Sequence, residues 1–244
     1  DLYWLTGNIQ AAIHCHKQAQ AIGIAYGIVD LELVSLFNLG LCQIDLWELE
    51  AAFQLFETVN QRATATEHHM FAVGSWFCLA WLHSEQGHIE MAKQLIEQVS
   101  EQFQAISLSA WSRCYSLLFL GLAAKNIGEF PNAKRLYEWA QDFAERSQYP
   151  QVKARALSGL AELCRQQQDL QSAIANLLSA KQLLDRLEAR TDLAEVHYQL
   201  ALTYHLLQDV AASQTHLQCA IDLFQQIQAP RQVERMQQTL RVLR

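Results

Sequence analysis

The chain has 244 residues, which is enough for one or two domains and a sizeable buried core. Nine Gly and three Pro leave few residues for the turns of an all-β sandwich, so the composition favours helices. The formal net charge of −7 opposes binding to a phosphate backbone or to an anionic membrane surface. We therefore expect neither nucleic acid nor a membrane as a partner.

The sequence also indicates in which cellular compartment the protein is expected. No apolar run approaches the roughly 18 residues of a membrane helix, and residues 1–8 do not form an export signal. Six cysteines without a C-x-x-C pair predict reduced, mostly buried thiols and a cytoplasmic protein. The first residue is Asp1 rather than Met, which suggests a piece of a longer protein or a processed terminus.

A six-residue pattern, typical of a turn followed by a helix start, recurs along the chain. Asn8, Asp169 and Asp209 can accept hydrogen bonds from the N–H groups of a first helical turn, and Pro131 fits such a turn. The copies are spaced by 40, 40, 41, 40 and 40 residues and begin at Gly7, Trp47, Gly87, Gly128, Gln168 and Gln208. A helix is therefore predicted to begin at each copy.

A second helix is predicted before each of the last five copies. A small residue that follows a Leu recurs there, and apolar residues precede it at the spacing of one helix face. The small residues are Gly40, Ala80, Gly121, Ala161 and Ala201. Each repeat is therefore predicted to be a helical hairpin whose helices approach closely.

These residues resemble the tetratricopeptide repeat (TPR), best seen in Trp76, Leu79 and Ala80, and in Gly40 followed by Ala52 and Phe56. The period of about 40 residues is similar to the long-repeat, MalT-like variety found in bacterial multidomain signalling regulators. The resemblance covers nearly the whole chain. It implies an all-α fold, a right-handed superhelical solenoid of antiparallel helical hairpins.

We predict one solenoid over residues 1–244 without internal boundaries. Its terminal helix would form a polar cap, whereas the first end would have no cap, so self-association through this end is expected unless another segment precedes it. The predicted parts are a partial hairpin at 1–25, full hairpins at about 28–63, 68–103, 108–146, 150–187 and 190–228, and a terminal helix at 231–244.

The sequence contains no recognisable catalytic or phosphate-binding motif, so we predict no enzyme activity. His14, Cys15 and His16 form the most metal-like cluster. On a helix, however, side chains two positions apart point about 200° apart, so the two histidines would not meet on one ion. We therefore predict neither a metal nor a cofactor.

The resemblance implies that the first helix of each hairpin lines a concave groove. The apolar first half of this groove would suit an amphipathic helix or an apolar peptide, whereas the second half carries basic residues that could hold a carboxylate or acidic side chains. Alternatively, strong curvature or a neighbouring domain buries Phe37, Phe77 and Trp81 as core. The candidate binding residues are Phe37, Leu41, Phe77, Trp81, Tyr115, Leu122, Lys125, Arg155, Arg165 and Tyr198.

Two functions follow from this reasoning. The first is a non-enzymatic protein- or peptide-binding scaffold, the interaction region of a larger signalling or regulatory protein, whose partner could be another domain of the same chain. The second is a ligand-sensing module that gates an attached nucleotide-binding or output domain.

Overall fold

The computed structural model describes residues 2–102 and 108–242. Within these ranges all regular structure is helical, and there is no strand. The ends predicted at Asp1, at residue 103 and at residues 243–244 lie outside the described residues. The helices are α1 (Leu2–Leu5), α2 (Ile9–Tyr26), α3 (Val29–Asp45), α4 (Leu49–Ala65), α5 (His69–Glu85), α6 (Ile89–Gln102), α7 (Ala110–Asn126), α8 (Phe130–Ser147), α9 (Pro150–Gln166), α10 (Leu170–Leu187), α11 (Arg190–Leu206), α12 (Val210–Gln226) and α13 (Pro230–Val242).

The helices end in one repeated turn geometry, which explains the regular spacing in the sequence. Apart from the connection between α6 and α7, part of which lies outside the described residues, each turn contains one residue with a positive φ, for example Gly87 at 77° and Gln168 at 64°. The next N–H donates to a carbonyl five residues back, as from Asp169 to Cys164 at 2.9 Å. All three prolines lie in the first turn of a helix, where their missing N–H costs nothing. The predicted succession of helical hairpins is confirmed.

The contacts divide the chain into two compact units. Unit 1 consists of Asp1–Ile9, Asp45–Trp47 and Gln141–Arg244, and unit 2 consists of Gln10–Ile44 and Glu48–Ala140. The boundaries predicted for a single solenoid therefore stay a prediction.

Packing in unit 2 depends on the predicted small residues. A Cβ atom on Gly40 would lie 2.6 Å from Cζ of Phe56, and one on Gly121 would lie 2.6 Å from Cε1 of Tyr137. Both rings are almost fully buried, and each follows its glycine by 16 residues. Glycine thus leaves the space that an aromatic ring fills in the second helix of the hairpin.

An apolar core in unit 1 is shared by α9, α10 and α11. Ala161, Leu177 and Leu200 are fully buried in it. Here the small residue of the repeat is Ala161, and the residue 16 positions later is Leu177 rather than an aromatic. A methyl group on the first helix is therefore matched by a smaller side chain on the second.

The first residues of the chain also pack within unit 1. Trp4 is 7% exposed. A Cβ atom on Gly7 would lie 3.0 Å from Cβ of Arg190 and 3.4 Å from Cγ2 of Ile227. Trp4 and Gly7 are therefore covered by other residues of unit 1, whereas the sequence predicted a first end without a cap. Tyr3 is 50% exposed. Self-association through this end stays a prediction.

Candidate functional site

Five of the ten predicted groove residues have buried side chains in the structure. They are Leu41, Phe77, Trp81, Tyr115 and Tyr198, all between 1% and 5% exposed. A side chain buried to this degree contacts a partner only if its neighbours move. Their burial agrees with the alternative that the aromatic stripe belongs to the core.

The predicted groove residues Phe37, Trp81 and Tyr115 of unit 2 each pack against another aromatic ring of the same unit. The Trp81 ring centroid lies 5.8 Å from that of Phe119, and the Trp81 indole N–H donates to Glu85 at 3.0 Å. Tyr115 stacks on Trp111 with centroids 4.5 Å apart. Phe37 is half-buried and packs edge to face on Phe56. Leu122 and Lys125 are also half-buried.

The two predicted arginines have different surroundings, both within unit 1. Nε of Arg155 lies 2.7 Å from Oδ1 of Asp192, and its Nη2 lies 3.6 Å from Oδ1 of Asp45. The Arg155 guanidinium also lies over the Trp4 ring, 5.4 Å from the centroid. The positive charge of Arg155 is therefore compensated by carboxylates of its own chain.

Arg165, in contrast, is oriented by neutral groups. Its Nη2 donates to Oε1 of Gln199 at 2.7 Å, and its Nη1 donates to the Gln199 carbonyl at 3.4 Å and to Oγ1 of Thr203 at 3.3 Å. Among the described residues, no carboxylate oxygen lies within 4.0 Å of its guanidinium nitrogens. Arg165 is half-buried, and within the part of the chain that the structure describes its oriented positive charge has no carboxylate partner.

A hydrogen-bonded network extends from Arg165 across α11 to α13. Nε2 of Gln199 donates to Oε1 of Glu195 at 2.8 Å, and Arg235 pairs with the other oxygen of Glu195. Thr203 is fully buried and donates to the Gln199 carbonyl at 2.8 Å. We call Arg165, Glu195, Gln199, Thr203 and Arg235 the polar cluster.

Tyr198 and Trp47 hold Arg235 in place. The Arg235 guanidinium lies 4.9 Å from the Tyr198 ring centroid and 4.2 Å from the Trp47 ring centroid. The Tyr198 hydroxyl donates to Oγ1 of Thr239 at 2.7 Å. Burial raises the pKa of Tyr198, and this outweighs the lowering by the Thr239 hydrogen bond and by Arg235. Tyr198 is thus a supporting residue rather than a contact surface.

The face of α9 that carries Arg165 continues towards the start of the helix. Ser158, Glu162 and Arg165 follow one another at the i, i+4 and i+7 positions of one helix face. The Ser158 hydroxyl is buried and has no hydrogen-bond partner among the described residues. Among the described residues, this face therefore combines a cation that has no carboxylate partner with a buried hydroxyl that has no hydrogen-bond partner.

Sequence reasoning missed Glu195, Gln199, Thr203 and Arg235 as a network. A signal was present at one position, because Thr203 is polar where the other repeats place the apolar residues Cys42, Leu82, Ala123 and Leu163. A buried polar residue at a position that is otherwise apolar needs a hydrogen-bond partner. The partner, Arg165, lies in the preceding repeat, so its identity required the structure.

The structure also locates the metal-like residues and the cysteines. Within residues 2–102 and 108–242 there is no group of three or more His, Cys, Asp or Glu side chains that could hold a metal ion.

Two pairs of histidine rings face each other through their Nδ1 atoms, His83 with His88 at 3.3 Å and His197 with His216 at 2.9 Å. Of the six thiols, those of Cys42, Cys78 and Cys114 are buried. In the described part of the chain, no helix has the length and apolar character of a membrane span.

Comparisons with known proteins show the fold. No family model matches the sequence. No curated protein matches it either. Many solved structures are similar, and three of them are described below. A Rap protein complexed with Competence and Sporulation Factor has a TM-score of 0.70 at 10% identity, over 84% of this chain and 57% of that chain. The Rap conjugation gene regulator of plasmid pLS20, in complex with the Phr* peptide, has a TM-score of 0.71 at 15% identity, over 93% and 60%. TPR-like repeats of a putative Podosopora anserina kinesin light chain have a TM-score of 0.52 at 17% identity, over 91% and 97%.

This chain therefore spans less than two thirds of the length of the two Rap structures that it matches. At these identities the likeness concerns the fold alone. The MalT-like variety of the repeat stays a prediction. The chain has the all-α fold of a TPR-like helical repeat array.

Proposed function

We propose that this protein is a non-enzymatic scaffold that binds a peptide or an extended protein segment, and that Arg165 holds a carboxylate of that partner. The observation that carries the proposal is the environment of Arg165. Its guanidinium is fixed by Gln199 and Thr203, and no carboxylate of the described residues lies within 4.0 Å of it.

The energetic reason is preorganisation. Hydrogen bonds to Gln199 and Thr203 orient the planar guanidinium before a partner arrives, so little side-chain entropy is lost on binding. The half-buried position lowers the local dielectric and strengthens the pairing. A charge-assisted hydrogen bond to a carboxylate contributes about 1.5–3 kcal/mol in such a site.

The comparisons support a peptide ligand in general terms. The pLS20 Rap regulator that shares this fold has a peptide bound, as the Phr* peptide. We extend peptide binding to this chain as part of the proposal. We also propose that the protein is cytoplasmic, that it belongs to a larger signalling or regulatory protein, and that its partner could be another domain of the same chain.

Peptide arrays with free carboxyl termini test the proposal. Heptapeptides would carry Asp or Glu at each position in turn, and binding of the best sequences would be measured by titration calorimetry. We expect Arg165→Gln to weaken binding at least tenfold, because it removes the fixed charge. Arg186→Gln is the matched control, since Arg186 is exposed on α10 and its loss changes the net charge equally. Equal binding by wild type and Arg165→Gln, or equal losses in both variants, would contradict the proposal.

The alternative, a ligand-sensing module that gates an attached domain, has one observation in its favour. The α9 face that carries Arg165 also carries Arg155, which contacts the distant residues Asp45 and Trp4. Binding at one end of this face could therefore change contacts at its other end. A sensor predicts that a bound peptide alters hydrogen exchange at residues 45–47, whereas a passive scaffold predicts no change there.

A further inference from the structure

Residues from the beginning of the chain contact two C-terminal helices, all within unit 1. The Trp4 ring lies under Arg155 of α9, and the Asp45 carbonyl accepts from Nε2 of Gln232 in α13 at 3.0 Å. The Trp47 ring packs on Arg235 of α13, at 4.2 Å. We call the packing of Trp4, Asp45 and Trp47 on α9 and α13 the N-terminal contact.

The N-terminal contact buries two carboxylates beside one guanidinium. Asp192 is well satisfied, because it is 2.7 Å from Nε of Arg155 and also accepts a hydrogen bond from Gln151. Asp45 is farther from the same guanidinium, at 3.6 Å. One guanidinium therefore lies beside two carboxylates, and the Asp192 carboxylate is the closer of the two.

The two charges cannot be equally stable in this arrangement. Burial and, to a smaller extent, the nearby Asp192 raise the pKa of Asp45, Arg155 and Trp4 lower it, and the net result is a pKa of about 7. The groups that face Asp45 are thus Trp4 of α1, Arg155 of α9, Asp192 of α11 and the neutral amide of Gln232 in α13. With Asp45 protonated, the charges of Arg155 and Asp192 cancel, whereas with Asp45 ionised the three groups carry a net charge of −1.

We propose that the N-terminal contact is a proton-operated latch, closed while Asp45 is protonated and weakened when Asp45 loses its proton. Opening exposes the Asp45 carboxylate to water, which solvates its charge better than the shared guanidinium does. Trp4 and Trp47 lose their stacking on Arg155 and Arg235 in the same step.

The latch has a consequence for the polar cluster, and this part rests on the proposed function. Arg235 belongs to both the N-terminal contact and the polar cluster, since it packs on Trp47 and pairs with Glu195. Asp192 and Glu195 follow each other by three residues on α11. Opening of the latch therefore releases one support of the polar cluster and is expected to weaken peptide binding at Arg165.

The sign of the pH effect follows from the pKa values of the closed and open states. In the open state Asp45 has an ordinary pKa near 4, whereas the closed state retains its proton up to about pH 7. Stability of the contact is therefore highest at low pH, falls between about pH 4 and 7, and is constant above that range. The opening equilibrium is expected to rise about tenfold per pH unit between pH 5 and 7.

Two ligand-free measurements on the full chain test the latch. Carbon-13 NMR of the aspartate carboxyl groups would show one group that titrates near pH 7 and is missing in Asp45→Asn. Hydrogen exchange, corrected for the intrinsic pH dependence of amide exchange, would show residues 45–47 losing protection at least tenfold from pH 5 to 7. Asp45→Asn would keep that protection at both pH values, because its amide carries no charge.

The control variant is Asp185→Asn, which removes an exposed carboxylate paired with Lys181 and should keep the wild-type pH dependence. The latch is contradicted if Asp45 titrates near pH 4, or if exchange at residues 45–47 does not depend on pH. The NMR titration of the wild type decides the question even if Asp45→Asn fails to fold. A pH-dependent latch in a protein that binds no peptide would refute the proposed function and leave the latch standing.

Discussion

Replacing Gly40 with alanine tests how the hairpins pack. The added Cβ would lie 2.6–2.9 Å from three atoms of the fully buried Phe56 ring, well inside ordinary van der Waals contact. Overpacking of a rigid core costs about 1–3 kcal/mol, whereas alanine in place of a helical glycine gains about 0.5–1 kcal/mol. We therefore expect Gly40→Ala to lower the free energy of unfolding by about 1–2 kcal/mol.

The assay is urea denaturation followed by circular dichroism, with a second variant that removes the clash. In Gly40→Ala/Phe56→Leu the smaller side chain makes room for the methyl group, as Ala161 and Leu177 do in unit 1. We expect a favourable coupling of at least about 1 kcal/mol between the two substitutions. Gly74→Ala is the matched control, because its Cβ would meet only the half-buried Phe37, at 3.2 Å. Additive effects, or equal losses for Gly40→Ala and Gly74→Ala, would refute this account of the packing.

Three further predictions concern single side chains. Burial, His216 and Lys181 lower the pKa of His197 to about 4, so the folded state resists protonation of this side chain. We therefore expect His197→Gln to reduce, by about 2 kcal/mol, the free energy of unfolding that is lost between pH 6.5 and 4. Thermal melting across this pH range checks the prediction. Asp45→Asn should raise the free energy of unfolding at pH 8 by about 2–4 kcal/mol, and by less at pH 5, in denaturant titrations at the two pH values. Ser109→Ala should cost about 1 kcal/mol by urea denaturation, because Ser109 caps α7 by accepting from the Ser112 N–H at 3.1 Å; a loss below about 0.3 kcal/mol would contradict the cap.

Most of the fold could be predicted from local signals. The spacing of about 40 residues, the small residues such as Gly40 and Gly121, and the capping residues such as Asp169 each act within one hairpin. Such short-range rules are readable in a single sequence. The division into two units, and the packing of Trp4 and Asp45 on C-terminal helices, depend on contacts between residues more than one hundred positions apart. No periodicity in the sequence encodes those contacts.

The candidate site was predicted less well. The sequence predicted that Arg155 and Arg165 share one face of a helix, and they do so on α9, but it gave no means of telling them apart. That this face lines a groove stays a prediction. Their difference lies in their surroundings, with carboxylates at Arg155 and an amide with a hydroxyl at Arg165. The aromatic residues Phe77 and Trp81 fit both a groove and a core in sequence terms. Only their burial distinguishes the two.

A double-mutant cycle between Arg165 and the acidic group of the tightest array peptide tests the central claim most directly. Binding would be measured for wild type and Arg165→Gln, each with the acidic peptide and with its amide counterpart. We expect a coupling free energy of about 1.5–3 kcal/mol, because the carboxylate pairs with the guanidinium that Gln199 and Thr203 orient. Effects that add to within about 0.3–0.5 kcal/mol would show that the carboxylate does not bind at Arg165.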